Sequence, residues 1–64
     1  MNKLKKIRIM KELICEEIAE ATLKIETFQK LGDEESVANW GEQRLLLEKR
    51  LTNLCKKEKQ IENE

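Results

Sequence analysis

The sequence predicts an all-α fold: an antiparallel two-helix hairpin (αα-hairpin). Three observations carry this. A stop and a start signal for helices lie side by side at Leu31-Gly32-Asp33, near the middle of the 64 residues. The apolar repeat changes frame across that point. The two apolar repeats also mirror each other about it, layer by layer.

The first arm, expected as a helix over 3–31, has apolar spacings alternating between three and four. The stripe is Leu4, Ile7, Lys11, Ile14, Ile18, Ala21, Ile25 and Phe28. Such spacing gives a helix one apolar seam. Gly32 then follows. A glycine just past a helix adopts the left-handed conformation that closes the last turn at little steric cost. Asp33 is suited to accept a hydrogen bond from a free N–H of the next helix. Glu34 and Glu35 put negative charge at that helix's positive end.

The second arm, expected over 34–60, carries Val37, Trp40, Arg44, Leu47, Leu51, Leu54, Glu58 and Ile61. A single unbroken helix would tolerate Gly32 for about 1 kcal/mol. Its frame, however, would place Gly32, Glu35, Asn39 and Glu42 on the seam. Chain reversal removes that conflict. In an antiparallel pair, facing residues have numbers of constant sum. Phe28 with Val37, Ile25 with Trp40, Ala21 with Arg44, Ile18 with Leu47, and so on to Leu4 with Ile61, all sum to 65. Eight layers therefore stack in register. The whole chain, 1–64, reads as one domain, with 32–33 as the turn and a polar tail at 61–64 that frays.

Two helices cannot enclose a core, and below about 70–80 residues one core rarely supplies more than 3–5 kcal/mol. The chain is therefore expected to self-associate, most simply as a dimer that forms a four-helix bundle. The self-association seam is Ile7, Ile14, Ile18, Ala21, Ile25, Phe28, Val37, Trp40, Leu47, Leu51 and Leu54. Proline is absent and charged residues make up 41%, as in long helices and coiled coils.

Net charge is zero, which gives no overall pull toward nucleic acid or membrane. The charge is polarised instead. The open end holds eight cations (Lys3, Lys5, Lys6, Arg8, Lys11, Lys56, Lys57, Lys59) against Glu58, Glu62 and Glu64, a net of +5. The remainder holds five cations against ten acids, a net of −5. Two hairpins lying in opposite senses would complement each other. The basic end is also a candidate anion or RNA contact, through Lys3, Lys5, Lys6 and Arg8, with Arg44 on the seam.

Lys11 and Glu58 sit in adjacent layers on opposite helices and are expected to pair across the open end, where they would set register more than add stability. Arg44 faces Ala21, which leaves room for its stem while the guanidinium reaches out toward Glu17 or Glu48. Ile9, Leu13, Leu23, Leu45 and Leu46 lie off the seam; they are the candidate partner-binding residues. Met10 and Leu31 flank the seam. Gly41 stands inside the second helix, where glycine costs about 0.5–1 kcal/mol relative to alanine; a closely approaching chain or ligand, or a permissive site, accounts for it.

Catalysis is not expected. There is no His and no Tyr, so the usual imidazole ligands of helix-bundle metal sites are missing, and Cys15 has no evident base. No metal and no cofactor are expected. The cysteines, Cys15 and Cys55, are offset by about five residues in the paired register, roughly 7 Å along the axis, against an intrachain disulfide. They suit a reducing cytoplasm. The basic start is followed by Lys11, Glu12, Glu16 and Glu17, which leave no apolar run of useful length, so no signal peptide is expected, and no stretch approaches a membrane span.

In length, hairpin layout and stacked seam layers the chain resembles the plasmid-encoded Rop family. That resemblance implies a Rop-like four-helix dimer that binds paired RNA loops; it rests on layout, and no RNA-contacting residue is carried over from it. The tetrapeptide Glu35-Ser36-Val37-Ala38 is similar to a stretch in helical-hairpin phage proteins that sequester cyclic nucleotides. The expected function is a small cytoplasmic regulatory module, of bacterial, phage or plasmid type, that self-associates and binds or inhibits a larger protein. RNA binding by the dimer is the second reading. Sequestration of a small anionic ligand at Arg44, Trp40 or Gly41 is the third.

Overall fold

A computed structural model describes residues 2–63 of the chain; Met1 and Glu64 lie outside the described residues. Two helices, α1 (Lys3–Leu31) and α2 (Glu34–Glu62), pack against each other along their length as an antiparallel hairpin.

Each helix boundary has a local cause. Asn2 is extended, and its side chain accepts from the Lys5 N–H at 2.7 Å, capping α1. At the other end Gly32 takes φ 73°. Its N–H donates to the Gln29 carbonyl at 3.1 Å, and the Asp33 N–H donates to the Phe28 carbonyl at 3.0 Å. This pair of bonds closes a helix around a left-handed residue. Asp33 then caps α2 twice, accepting from the Ser36 N–H at 3.1 Å and the Ser36 hydroxyl at 2.7 Å. Those two bonds hold the Asp33 carboxyl below its usual range. Stop and start signals occupy two consecutive residues, which is why the reversal is so tight.

The buried side chains follow the seam. All sixteen of its positions, Leu4 to Phe28 and Val37 to Ile61, are buried or half-buried. Elsewhere in the helices only Thr22, Ser36, Gly41 and Cys55 are half-buried, and the rest are exposed. The core is a cluster of Ile7, Ile14 and Leu54, with Ile18, Leu47, Leu51 and Ile61 packed on it. Ala21, opposite Arg44, is 1% exposed. The hydroxyls of Thr22, Thr27 and Thr52 donate to carbonyls four residues back in the same helix, so none is left unpaired.

α2 continues to Glu62, two residues past the end expected from composition. Ile61 packs on the core cluster, Glu62 pairs with Arg8, and the Asn63 N–H donates to the Lys59 carbonyl at 3.0 Å. The tail is polar in sequence, yet its first two residues have partners on α1. Of the expected frayed segment, Glu64 falls outside the described residues.

The hairpin measures 49 × 16 × 11 Å, with a radius of gyration of 14.8 Å. A compact chain of this length would have about 11 Å. The molecule is thus a flat ribbon with two broad faces, and this shape sets what it can do.

Candidate interaction surface

The seam's charged interruptions are resolved at its edges. Lys11 donates to Glu58 at 2.9 Å, and Arg8 donates to the second oxygen of the same carboxylate at 3.3 Å. Arg8 also reaches Glu62 at 3.2 Å. Glu58 is the most enclosed member, its side chain 16% exposed. The Lys11 hydrogen bond is the main cause that holds the Glu58 carboxyl below its ordinary 4.5 and raises the Lys11 ammonium above its ordinary 10.5. The expected Lys11–Glu58 pair is therefore part of a four-residue cluster across the open end. Arg44 turns to Glu48, at 3.3 Å, and not to Glu17. It also donates to the Thr22 hydroxyl at 3.3 Å, tying α2 to α1.

The candidate cations do not form one patch. Lys3 and Lys6 border a groove on one broad face, joined by Lys57 from α2. Arg8 lies on the opposite face, beside Lys11, Glu12, Cys15, Glu16 and Glu58, already engaged by two carboxylates. Lys5 is exposed and lines neither depression. At 3.6 residues per turn, neighbouring lysines in sequence point in different directions. Arg44 lies far along the ribbon from all of them.

The groove at the open end has a volume of about 330 Å³. Its floor is Ile7, Met10, Leu54 and Ile61; its rim is Lys3, Lys6, Lys57 and Gln60, with no acid. Met10 also borders a smaller depression with Leu13, Ile14, Glu17 and Arg50 on the same face. Sequence reasoning placed Met10 beside the seam but did not group it with Lys57; the signal was the constant sum of 65, which brings residue 57 level with residue 8.

The candidate partner-binding residues are all exposed: Ile9 39%, Leu13 53%, Leu23 63%, Leu45 52% and Leu46 53%. They are not gathered into one patch. Leu13 shares the Met10 face. Leu46, two heptads before the groove residue Gln60, lies on that face as well. Leu45 borders a shallow depression with Glu48, Lys49, Thr52 and Asn53, turned about 100° from Leu46. Ile9 and Leu23 are fourteen residues apart on one outer stripe of α1. Leu31, at 72%, is the most exposed large apolar side chain of the described residues.

Gly41 is half-buried, and a Cβ built on it would meet nothing within 4 Å. The hairpin itself does not require glycine there. Cys15 is exposed and Cys55 half-buried, both as free thiols. Among the described residues, no three Cys, Asp or Glu side chains converge to hold a metal ion, and no helix is long and apolar enough to cross a membrane. Comparison with protein-family models, with curated proteins and with solved structures gave no match.

Proposed function

We propose that this hairpin is a non-enzymatic interaction module of the cytoplasm: it self-associates, as a Rop-like four-helix dimer, and in that form binds and regulates a larger protein. One observation carries the reading. Among the described residues, the ribbon brings only Ile7, Ile14, Ala21 and Leu54 of its hydrophobic side chains below a tenth exposed, while seven large ones stay open to water. Ile18, Ile25, Phe28, Val37, Trp40, Leu47 and Leu51, the rest of the expected self-association seam, are half-buried. A second hairpin laid on the Met10 face would cover Met10, Leu13 and Leu46 together with the open flanks of the seam, leaving Leu45, Ile9 and Leu23 for a larger partner.

Sedimentation of the full chain tests the first part. The expected mass is twice 7.6 kDa, falling toward the monomer on dilution. A mass of 7.6 kDa up to millimolar concentration removes the reading. For the partner, Leu45→Glu and Leu46→Glu are best made singly, since the two side chains point in different directions. One of the two substitutions should abolish capture of the partner and leave the dimer intact. Loss of neither property in either variant would exclude these leucines.

RNA binding by the dimer is the second reading, supported by the acid-free rim of Lys3, Lys6 and Lys57. It requires an affinity that falls steeply with salt. The small-ligand reading is weaker, because Arg44 already directs its guanidinium to Glu48 and Thr22.

A further inference from the structure

We propose that two copies of the hairpin pair antiparallel through one stripe of α1, so that Lys3 and Lys6 of each copy meet Glu20 and Glu17 of the other. The inference rests on the self-association proposed above and adds its register. Beside the seam, α1 carries a second line of residues at spacings of three and four: Lys3, Lys6, Met10, Leu13, Glu17 and Glu20. Such spacing gathers them on one face of the helix. Five of them border the two depressions of the Met10 face, and Glu20 follows Leu13 by one heptad. All six are exposed. None of the four charged ones is ion-paired among the described residues, whereas Arg8, Lys11 and Glu58 of the other face pair within the hairpin.

The stripe is its own complement. Two cations, two apolar residues and two acids, turned end for end, place acids against cations and apolar against apolar. With numbers summing to 23, Lys3 faces Glu20, Lys6 faces Glu17 and Met10 faces Leu13. Each contact occurs twice about a two-fold axis between residues 10 and 13, and the assembly closes as a dimer. The stripe continues as Lys24, Thr27 and Leu31, which offers other registers one heptad apart. At a sum of 30, Lys6 meets Lys24 and Met10 meets Glu20. At 37, Glu17 meets Glu20 and Leu13 meets Lys24. At 44, Glu20 meets Lys24, but Met10 and the lysine rim stay uncovered. The opposite sense, with both hinges at one end, lays Lys3 and Lys6 beside Lys57 of the other copy. Only the sum of 23 pairs all four charges of the stripe with their opposites.

This register also fills the groove. With residue n of α2 at level 65 − n, the groove's lining lies at levels 3–11, and levels 12–20 of the second copy come opposite. Leu46 stands there at level 19, 53% exposed, with Glu17 and Glu20 beside that level on α1. An apolar side chain bordered by acids thus meets an apolar floor bordered by lysines. On α2, Lys57 comes opposite Arg50, but Arg50 shares a depression with Glu17, so an acid stands next to this like-charged pair. The overlap runs from residue 3 to residue 20, roughly 27 Å, and covers the seam's flank as far as Ile18 and Leu47. On a ribbon 16 Å wide that is about 430 Å² per partner, against roughly 800 Å² in a standard interface. The dimer is therefore weak and reversible, and both hinge ends extend past it.

Charge exchange on the full chain, read by sedimentation, tests the proposal. Lys3→Glu with Lys6→Glu, or Glu17→Lys with Glu20→Lys, makes every facing pair of the stripe alike. Each two-site variant should dimerise at least about tenfold more weakly than the parent. The chain carrying all four substitutions keeps its net charge, restores opposite charges in every pair and should dimerise within about threefold of the parent. Parental affinity in either two-site variant overturns the proposal, as does a four-site variant that stays weak while helical by circular dichroism. So does a lysine variant that keeps its dimer and loses only RNA binding. If a charge variant fails to fold, cross-linking decides. In a Cys15→Ser, Cys55→Ser background, a Leu13→Cys chain is oxidised together with a Met10→Cys chain or a Leu31→Cys chain. The first mixture should give the covalent heterodimer and the second should not, because Leu31 lies roughly 31 Å from the position that faces Leu13. The reverse result, or self-cross-linking of the Leu31→Cys chain, overturns the register. A monomeric parent removes the self-association reading itself; a dimer indifferent to these changes removes only this pairing.

Discussion

The open half and the hinge half of the ribbon use the same seam differently. At the open half, aliphatic side chains interlock between the helices: Ile7, Ile14 and Leu54 are 7–8% exposed, and Arg8, Lys11, Glu58 and Glu62 close the edge. At the hinge half, Ile25, Phe28, Val37 and Trp40 remain half-buried, although the tight reversal holds the helices together there. Phe28 and Trp40 rings are too large to be enclosed by two cylinders, and the branched side chains beside them, Ile25 and Val37, share their open flanks. Closeness of the backbone and completeness of burial are thus separate properties.

Deleting the same atoms in each half tests this difference, with the largest effect expected first. Ile14→Ala should cost about 2–5 kcal/mol, enough to unfold most of a hairpin with the marginal stability of so small a core. Ile25→Ala should cost about half as much, roughly 1–2 kcal/mol, because its site is only half enclosed. Equal losses by chemical denaturation would mean that a second chain covers the hinge half in solution.

The two glycines make a further contrast. Gly32→Ala forces a Cβ into the left-handed region and should cost about 1–2 kcal/mol. Gly41→Ala should instead stabilise the hairpin by about 0.5–1 kcal/mol, since space at that position is open. Loss of stability at Gly41, or a change in solution mass, would show that another chain approaches its backbone.

A smaller effect is expected at the open-end ion cluster. Because the folded Glu58 carboxyl lies below its ordinary 4.5, its contribution is complete above that pH and is lost as pH falls through the lowered value. Because the folded Lys11 ammonium lies above its ordinary 10.5, its contribution is complete below that pH and is lost as pH rises through the raised value. Thermal midpoints should therefore fall at both extremes, and Glu58→Gln should flatten the Glu58 share of the acid limb. A variant with an unchanged acid limb would mean that Asp33, whose cap is weakened in the same range, carries the dependence alone.

Much of this organisation was legible before any coordinates. Periodicity marked all sixteen seam positions, the Gly32-Asp33 pair marked the reversal, and the constant sum set Lys11 beside Glu58, because these follow from helix geometry and neighbouring residues. Other features were not. Arg8 joining Glu58 and Glu62, and the division of Lys3, Lys6 and Arg8 between opposite faces, depend on which rotamers reach which partner. The extension of α2 to Glu62 depends on partners that α1 supplies.

The sequence alone, then, determined that two helices form, where they turn and which edges meet, since each is dictated by residues within a few positions of one another and by a repeating angle. Only the tertiary structure decided which flanking residues share a surface, that the open end holds a lysine-rimmed apolar groove, and that Leu31 and Leu46 are left uncovered. Those are consequences of two cylinders lying side by side, a shape that encloses a line of contacts but no volume.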